Sequence, residues 1–253
     1  MVFSKRPASY QPFLDRLHRT GKLCVVHIPK TGGSTLIDGL RRTLGDRAHA
    51  LYGESGRETF AGLGPGSFPG PGPVVVSGHF QYGPFRDVLA DDFAYLSFVR
   101  DPLERLVSYY RYSQVTPTDN FIARAARDHD FGGFLHYVDG RRRRIIRNQQ
   151  TRALAPTSKQ ADAREVQFRR VKRGLHDDQI LVAPTSRCDF LIPLICQALE
   201  VTITDGRSKV SDGASPVAPT EADRAFVAAN NVEDQALYDH VCRRAEEWPT
   251  HPR

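Results

Sequence analysis

The stretch LCVVHIPKTGGSTLIDGLRRTL, residues 23–44, carries three signals in immediate succession. Residues 23–28 are mostly apolar and β-branched, which predicts a short buried strand. A turn with two glycines follows at residues 29–35, PKTGGST, and we name it the glycine turn. Leucine and isoleucine then recur at helical spacing over residues 34–44. The stretch therefore predicts a strand, a turn and a helix, the repeating unit of α/β folds.

Other parts of the chain continue this alternation. Apolar runs at 74–77, 95–99 and 180–184 predict three more strands. The segments with helical spacing are 120–138, 161–174, 188–199 and 220–246. We therefore predict an α/β fold class, a P-loop-like three-layer fold with a central parallel sheet flanked by helices. The predicted domain is single and spans residues 1–253, with residues 1–20 as an N-terminal extension.

One helix start is marked by a capping pattern. Asp101 is suited to cap a helix, Pro102 to be its first residue and Glu104 to be its third. This pattern predicts a helix that begins after the strand at 95–99 and ends near residue 112.

Charge is distributed unevenly along the chain, whose net charge is +6 at pH 7. Residues 141–173, which we name the basic segment, contain twelve Lys and Arg against Asp162 and Glu165, a local balance of +10. The asymmetry predicts a basic surface that faces an anionic substrate, a nucleotide or a nucleic acid. A solvated helix face would contain the same arginines.

Composition also limits the class of protein. No apolar run reaches the length of about 18 residues that a membrane span needs, and the first twenty residues lack the apolar centre of a secretory signal. The four cysteines lack metal-ligand and disulfide-scaffold spacing: Cys24, Cys188, Cys196 and Cys242. We expect a soluble chain with buried thiols in a reducing compartment.

The glycine turn is a candidate anion site. Backbone N–H groups and the helix dipole converge where a strand and a turn lead into a helix, and Lys30 adds a positive charge there. A Walker A loop has its lysine after the glycines, whereas Lys30 precedes Gly32 and Gly33. The pattern favours a phosphate ligand without a metal-held triphosphate. An ordinary tight turn is the alternative.

A second candidate phosphate site follows the strand at 95–99. Arg100 is positioned at the end of that strand, and Ser108 two turns into the capped helix. Arginine binds phosphate through paired hydrogen bonds, and a serine hydroxyl adds a donor. Two such sites would suit a nucleotide phosphorylated at two places. A salt bridge from Arg100 to Asp101 or Glu104 is the alternative.

These motifs together resemble a known family. IPKTGGST, residues 28–35, resembles the 5′-phosphosulfate loop of sulfotransferases that use 3′-phosphoadenosine 5′-phosphosulfate (PAPS). SFVRDPLERLVSYY, residues 97–110, resembles their 3′-phosphate motif. Three further stretches support the resemblance: SGHFQYG at 77–83, RNQQTR at 147–152 and DQALYD at 234–239. With them, the chain is similar to the heparan sulfate 2-O-sulfotransferase branch of membrane-type carbohydrate sulfotransferases and its bacterial relatives.

The resemblance implies a donor site, with PAPS as donor, 3′-phosphoadenosine 5′-phosphate (PAP) as product and no metal. Lys30 would stabilise the leaving oxygen, while Arg100 and Ser108 would bind the 3′-phosphate. The implied phosphosulfate-binding residues are Pro29, Lys30, Thr31, Gly32, Gly33, Ser34 and Thr35. Lys209 and Ser211 lie in a loop that closes over the nucleotide in relatives.

The resemblance also implies an acceptor side. His79 matches the catalytic base of the 2-O-sulfotransferase branch, although a histidine after a strand is usually structural. His27 is expected to be packed or to support the site indirectly. Candidate acceptor contacts are Arg147, Asn148, Gln149 and Arg152. The partner would carry a hydroxyl group, with an anionic carbohydrate as a candidate, and the oligomeric state stays open.

Two other functions compete with sulfuryl transfer. A kinase-like phosphotransferase would also bind a nucleotide at the glycine turn, and a non-catalytic protein on this fold would hold a nucleotide or polyanion. The basic segment lacks the interleaved aromatic residues of a single-strand platform, which argues against nucleic acid. The missing membrane anchor favours a bacterial cytoplasmic enzyme, although a chain from which an anchor had been removed would look the same.

Overall fold

A parallel sheet forms the centre of the molecule. The computed structural model describes residues 10–64, 66–157, 159–160, 166–175, 179–203, 214 and 216–249. The strands are β1 (Lys22–Val26), β2 (Ala48–Leu51), β3 (Val74–Gly78), β4 (Ala94–Val99) and β5 (Ile180–Pro184). Their order is β2-β3-β1-β4-β5, and every neighbouring pair is parallel. The predicted α/β fold with a central parallel sheet is confirmed.

Helices cover both faces of this sheet. Those in the described residues are α1 (Gln11–Thr20), α2 (Gly33–Leu44), α3 (Gly53–Ala61), α4 (Tyr82–Leu89), α5 (Pro102–Val115), α6 (Phe121–Asp128), α7 (Phe131–Ile146), α8 (Gln149–Ala153), α9 (Phe168–Lys172), α10 (Cys188–Ala198), α11 (Glu221–Asn230) and α12 (Val232–Ala245). None of them combines the length and the apolar character needed to cross a membrane.

Alternate residues of each central strand face opposite layers. In β1, Leu23 and Val25 pack with α1, α2 and α10, whereas Cys24 and Val26 pack with α4 and α12. This period-two pattern explains why the apolar run of β1 is continuous in sequence. A third apolar cluster joins α5, α6, α7 and α11.

Residues 11–20, which were expected in an N-terminal extension, form α1. Phe13, Leu14 and Leu17 of this helix are buried in the same cluster as β1 and α10. Leu17 and the left-handed Gly21 end the helix, since the Gly21 N–H donates to the Leu17 carbonyl. The first helix is therefore part of the core.

The long predicted helices are interrupted by capping side chains. The segment 120–138 divides because Asp130 accepts a hydrogen bond from the Gly133 N–H and starts α7. The segment 220–246 divides at Asn231, whose side chain bonds the end of α11. The predicted capped helix after β4 is confirmed, because the Asp101 carboxylate accepts from the Glu104 N–H. The expected loop that contains Lys209 and Ser211 lies outside the described residues.

Candidate active site

One cleft gathers residues from the carboxyl ends of several strands. Because all strands are parallel, the connections that follow them meet at one edge of the sheet. A cleft of about 710 Å³ opens there. Its lining includes His27, Lys30, Ser34, Asp38, Arg57, His79, Phe80, Tyr109, Tyr112, Arg144, Gln149 and Arg152. Lys30 and His79 thus share one cleft.

The glycine turn has a fixed backbone conformation. Lys30 and Gly32 have positive φ angles of 69° and 90°. The buried Thr31 hydroxyl donates to the Ile28 carbonyl at 2.8 Å. The Thr185 hydroxyl, which follows β5, lies 2.7 Å from the Thr31 carbonyl oxygen and 3.1 Å from that of Val99. These bonds tie the turn to the ends of β4 and β5.

Neighbouring side chains explain both glycines of the turn. A Cβ atom at Gly32 would lie 2.8 Å from the Thr185 methyl group, in addition to the strain of its positive φ. A Cβ atom at Gly33 would lie 3.2 Å from His27 Cδ2. Gly33 is the first residue of α2, so N–H groups of this helix start are available to an anion.

The Lys30 ammonium is held inside the cleft by an aromatic ring. Its Nζ lies 4.2 Å from the centroid of the Tyr112 ring, a cation–π contact. Burial lowers the pKa of Lys30, and the nearby positive charge of Arg100 lowers it further. A bound anion between these two cations would relieve their repulsion.

His27, Tyr52 and His79 form a compact cluster beside the glycine turn. His27 Nδ1 is 2.9 Å from the Tyr52 hydroxyl. The ring centroids of His79 lie 5.2 Å from His27 and 4.7 Å from Tyr52. Burial, with the neighbouring His79 and Lys30, lowers the pKa of His27 to about 3. Although His79 is solvent-exposed within the cleft, the surrounding protein also lowers the pKa of its imidazole.

Arg100 lies at the end of β4 with its side chain about one-third exposed. Its Nε donates to Glu104 at 3.1 Å, which is the salt bridge considered as an alternative. Its backbone is fixed by the buried Gln150, which accepts from the Arg100 N–H and donates to the Arg100 carbonyl, both at 2.8 Å. Ser108 is half-buried on α5, one turn beyond Glu104.

The RNQQTR residues separate into two groups. Gln149 and Arg152 line the cleft. Arg147 forms a two-bond ion pair with Asp139. The Asn148 side chain accepts from the N–H groups of Glu233 and Asp234 at the start of α12, and Asn148 has a left-handed backbone with φ of 47°. The side chains of Arg147 and Asn148 are therefore engaged within the protein, and both residues line a second hollow beside this cleft.

Two buried charged side chains, those of Asp234 and Arg105, bond to residues 149–151 and hold them in place. The Asp234 carboxylate accepts from the Gln150 and Thr151 N–H groups at 3.0 and 2.7 Å. The fully buried Arg105 donates to Gln149 Oε1 at 2.6 Å and to the Ile145 carbonyl at 3.2 Å. Burial lowers the pKa of Arg105, and the negative charge of Asp234 opposes this effect. Gln149 is thus fixed at the wall of the cleft.

A basic hollow adjoins the cleft at Arg144 and Arg152. It has a volume of about 510 Å³, and its basic lining residues are Arg143, Arg144, Arg147 and Arg152. Glu233 is its acidic lining residue among the described residues. This hollow is formed by the basic segment together with the start of α12.

The residues of the cleft fit an anionic nucleotide donor. Four basic residues line it, Lys30, Arg57, Arg144 and Arg152, and Asp38 is the acidic lining residue within the described ranges. The start of α2 adds backbone donors beside Lys30. Lys209 and Ser211 lie outside the described residues.

Sequence reasoning missed several residues of this site. Tyr52 follows β2, a strand of only four residues, AHAL, without the apolar run that marks the other strands. Thr185 follows the predicted strand β5, but a single threonine carries no motif. Tyr109 and Tyr112 could have been found, because they are three residues apart on the predicted capped helix and share one face.

Comparison with known proteins gives a family match over most of the chain. A model of a family described as "Sulfotransferase family" matches residues 16–180. No curated protein matches the sequence. Among solved structures, mouse sulfotransferase SULT7A1 complexed with PAP is similar at 15% sequence identity and a TM-score of 0.38, with 89% of this chain and 70% of that chain covered.

Proposed function

The chain belongs to the sulfotransferase family, and we propose that it moves the sulfuryl group of PAPS to a carbohydrate hydroxyl, with His79 as general base and without a metal ion. The observation that carries this proposal is the shared cleft of Lys30 and His79. One residue can act on the leaving oxygen and the other on the attacking hydroxyl.

The proposed chemistry divides between these two residues. PAPS, when bound, supplies an activated sulfuryl group. The Lys30 ammonium stabilises the charge that develops on the departing phosphate oxygen. The His79 imidazole accepts the proton of the acceptor hydroxyl as its oxygen attacks sulfur.

Electrostatics support His79 as the base in preference to His27. A base must be neutral before it can accept a proton, and desolvation by the surrounding walls of the cleft lowers the pKa of His79 below its ordinary value. His27 has a pKa of about 3 and already has its Nδ1 engaged with Tyr52. A group of such low basicity is a poor proton acceptor.

We assign the 3′-phosphate to Arg100 and Ser108. Arg100 and Glu104 are exposed enough for the arginine to exchange its carboxylate partner for a phosphate. Ser108 lies one helical turn beyond Glu104 on the same face of α5. The phosphate would therefore replace Glu104 as the partner of Arg100.

The basic hollow supports an anionic acceptor. Its arginines continue the cleft away from the glycine turn, so a chain of sugars could extend from His79 across Arg144 and Arg152. Carboxylate or sulfate groups on such a chain would be attracted there. This is the basis for assigning a uronate-containing glycan as the acceptor class.

The donor assignment is tested by calorimetric titration with PAP in the presence of a chelator, compared with AMP and Mg-ATP. We expect PAP to bind most tightly and to need no metal. R100A should weaken PAP binding by about tenfold or more, since a charge-assisted contact is lost. E104Q is the matched control and should keep or improve the affinity. A preference for Mg-ATP would favour the phosphotransferase alternative instead.

The acceptor assignment is tested by measuring PAP release with a uronate-containing oligosaccharide and with a neutral oligosaccharide. We expect turnover with the anionic sugar. R143A/R144A should raise its KM severalfold, whereas R169A/R170A, which removes two exposed arginines of the same basic segment outside the hollow, should not. Equal effects of the two double variants would contradict a specific acceptor hollow.

A further inference from the structure

His27 lies between the glycine turn and the proposed base. Its ring packs against Gly33, where a Cβ atom would lie 3.2 Å from Cδ2 and 3.6 Å from Nε2 of the imidazole. On its other side the ring centroid is 5.2 Å from that of His79. His27 also lines the cleft together with Lys30. An anion held by Lys30 and the turn, and facing His79, would therefore meet the edge of this ring.

A buried hydroxyl pair orients His27. The phenol of Tyr52 lies 2.9 Å from His27 Nδ1, with the two rings edge to face. The Ser77 hydroxyl, which is buried in β3, hydrogen-bonds to the same phenol. This hydrogen bond lowers the pKa of Tyr52, because it favours the phenolate, while burial raises the pKa by more. The neutral Tyr52 hydroxyl has one proton, which it can donate to Nδ1 of His27.

Which partner donates in the Tyr52–His27 hydrogen bond decides which imidazole nitrogen carries the proton. Burial raises the pKa of Tyr52 to about 12, so its hydroxyl keeps its proton. The pKa of His27, about 3, keeps the imidazole neutral at physiological pH. A neutral ring whose Nδ1 accepts from Tyr52 carries its proton on Nε2, on the edge that packs against the turn.

We propose that His27 is a fixed hydrogen-bond donor, through Nε2–H, to an oxygen of the sulfuryl group of the donor, and that Tyr52 and Ser77 are positioning residues that set its tautomer. This inference rests on the proposed function. It gives His27 a contact with the group that is transferred, whereas His79 contacts the acceptor. His27 is therefore a substrate contact rather than a packed histidine or a second base.

Binding of PAPS and PAP separates this role from a purely structural one. The two nucleotides differ only by the sulfuryl group, so the ratio of their affinities reports contacts to that group. H27N removes the donor at the Nε2 position, and we expect about tenfold weaker PAPS binding with unchanged PAP binding. H27Q carries an amide N–H near the position of Nε2 and should restore the ratio towards that of the wild type.

The outcomes distinguish the inference from the function on which it rests. If the wild-type protein binds neither PAP nor PAPS, the proposed function fails and this inference with it. If both bind and H27N weakens them equally, or H27Q behaves as H27N does, the sulfuryl contact is wrong while the proposed donor site stands. Calorimetry on the full chain at neutral pH gives all of these values.

The tautomer is tested on the protein without any nucleotide. Imidazole nitrogen chemical shifts from two-bond proton–nitrogen spectra identify which nitrogen carries the proton, and the His27 signal is the one lost in H27Q. We expect the Nε2–H form in the wild-type protein and a mixture of tautomers in Y52F. An Nδ1–H form in the wild-type protein would overturn the proposal.

Discussion

The glycine turn and the basic segment differ in how their charges are held. In the turn, the Lys30 ammonium lies over Tyr112, and the backbone beside it is bonded to Thr185. In the basic segment, Arg143 and Arg144 are exposed at the end of α7, which is kinked at Arg142, whereas Arg141 lies over the Tyr137 ring. A fixed ammonium group thus lies at the glycine turn, and two exposed arginines, Arg143 and Arg144, line the adjoining hollow.

The difference follows from what each region has to recognise. Transfer of a small group requires the leaving oxygen and the attacking hydroxyl to be aligned, so fixed donors contribute most. A sugar chain with several negative charges can be attracted by exposed arginines, because charge attraction depends weakly on angle. Precise geometry is therefore expected at the turn, and adaptable attraction at the basic segment.

The largest expected effect is the loss of His79. H79A should lower sulfuryl transfer by about 10²- to 10⁴-fold, because the acceptor hydroxyl loses its proton acceptor. PAP affinity should stay within about twofold, since the group acts on the acceptor side. Initial rates of PAP release and calorimetry measure the two quantities. H18A, on the exposed face of α1, is the matched control and should leave both unchanged.

If H79A keeps its turnover, a group other than His79 accepts the proton of the acceptor hydroxyl. The base must be neutral, and the surrounding cleft lowers the pKa of His79. The rate in the wild-type protein should therefore fall only as the pH drops below about 6.5, the ordinary pKa of histidine. An acidic limb that persists unchanged in H79A would contradict the assignment in a second, independent way.

The next largest effect is expected on the free energy of unfolding, at the buried Asp234. D234A leaves the buried N–H groups of Gln150 and Thr151 without their acceptor and removes the charge that opposes buried Arg105. We expect the free energy of unfolding to fall by about 3–5 kcal/mol. Urea denaturation measures it. D239A, an exposed acid of the same helix, should cost less than about 1 kcal/mol. Similar losses in both variants would show that Asp234 has no special role.

How far the sequence predicts this molecule depends on the range of the interactions. Four strands and the helix after Asp101 follow from local apolar runs and a local capping pattern, and the structure has them where they were predicted. β2 was missed because its four residues, AHAL, are too few and lack the β-branched run that marks the other strands. Pairing with β3 places it in the sheet. Local patterns thus identify four strands, including the edge strand β5, and fail at the short edge strand β2.

The site was predictable only where its residues form motifs. Lys30 and Arg100 belong to recognisable stretches, and the structure brings them close enough for their charges to interact. The predicted acceptor contacts of the RNQQTR stretch all line the cleft or the basic hollow, and their role stays a prediction. The stretch gave no sign that Asn148 also bonds to α12 and that Gln150 bonds to Arg100, since these partners lie about 85 and 50 residues away along the chain. Long-range partners of this kind leave no local signal in a single sequence.

A smaller effect is expected in how the free energy of unfolding changes with pH, because the pKa of His27 is lower in the folded protein. The unfolded chain binds a proton on this residue below pH 6.5, whereas the folded protein does so only near pH 3. Stability is therefore lost as the pH falls from 6.5 towards 3. At pH 5.5 this loss should be about 1 kcal/mol, and it should be absent in H27Q. Urea denaturation at pH 7 and pH 5.5 measures the difference. The same pH dependence in both proteins would mean that His27 titrates normally in the folded state.

The smallest effect on stability is expected in the basic segment itself. R143A/R144A removes two exposed side chains from the end of α7, so the free energy of unfolding should change by about 0.5 kcal/mol or less. The consequence should instead be electrostatic. Binding of a uronate-containing oligosaccharide should weaken with rising salt in the wild-type protein, and this salt dependence should be smaller in the variant. R169A/R170A, measured at the same salt concentrations, provides the matched control, because it removes two exposed arginines outside the hollow. If the variant loses several kcal/mol of stability, Arg143 and Arg144 are structural, and the contrast between a rigid turn and an adaptable basic segment is wrong.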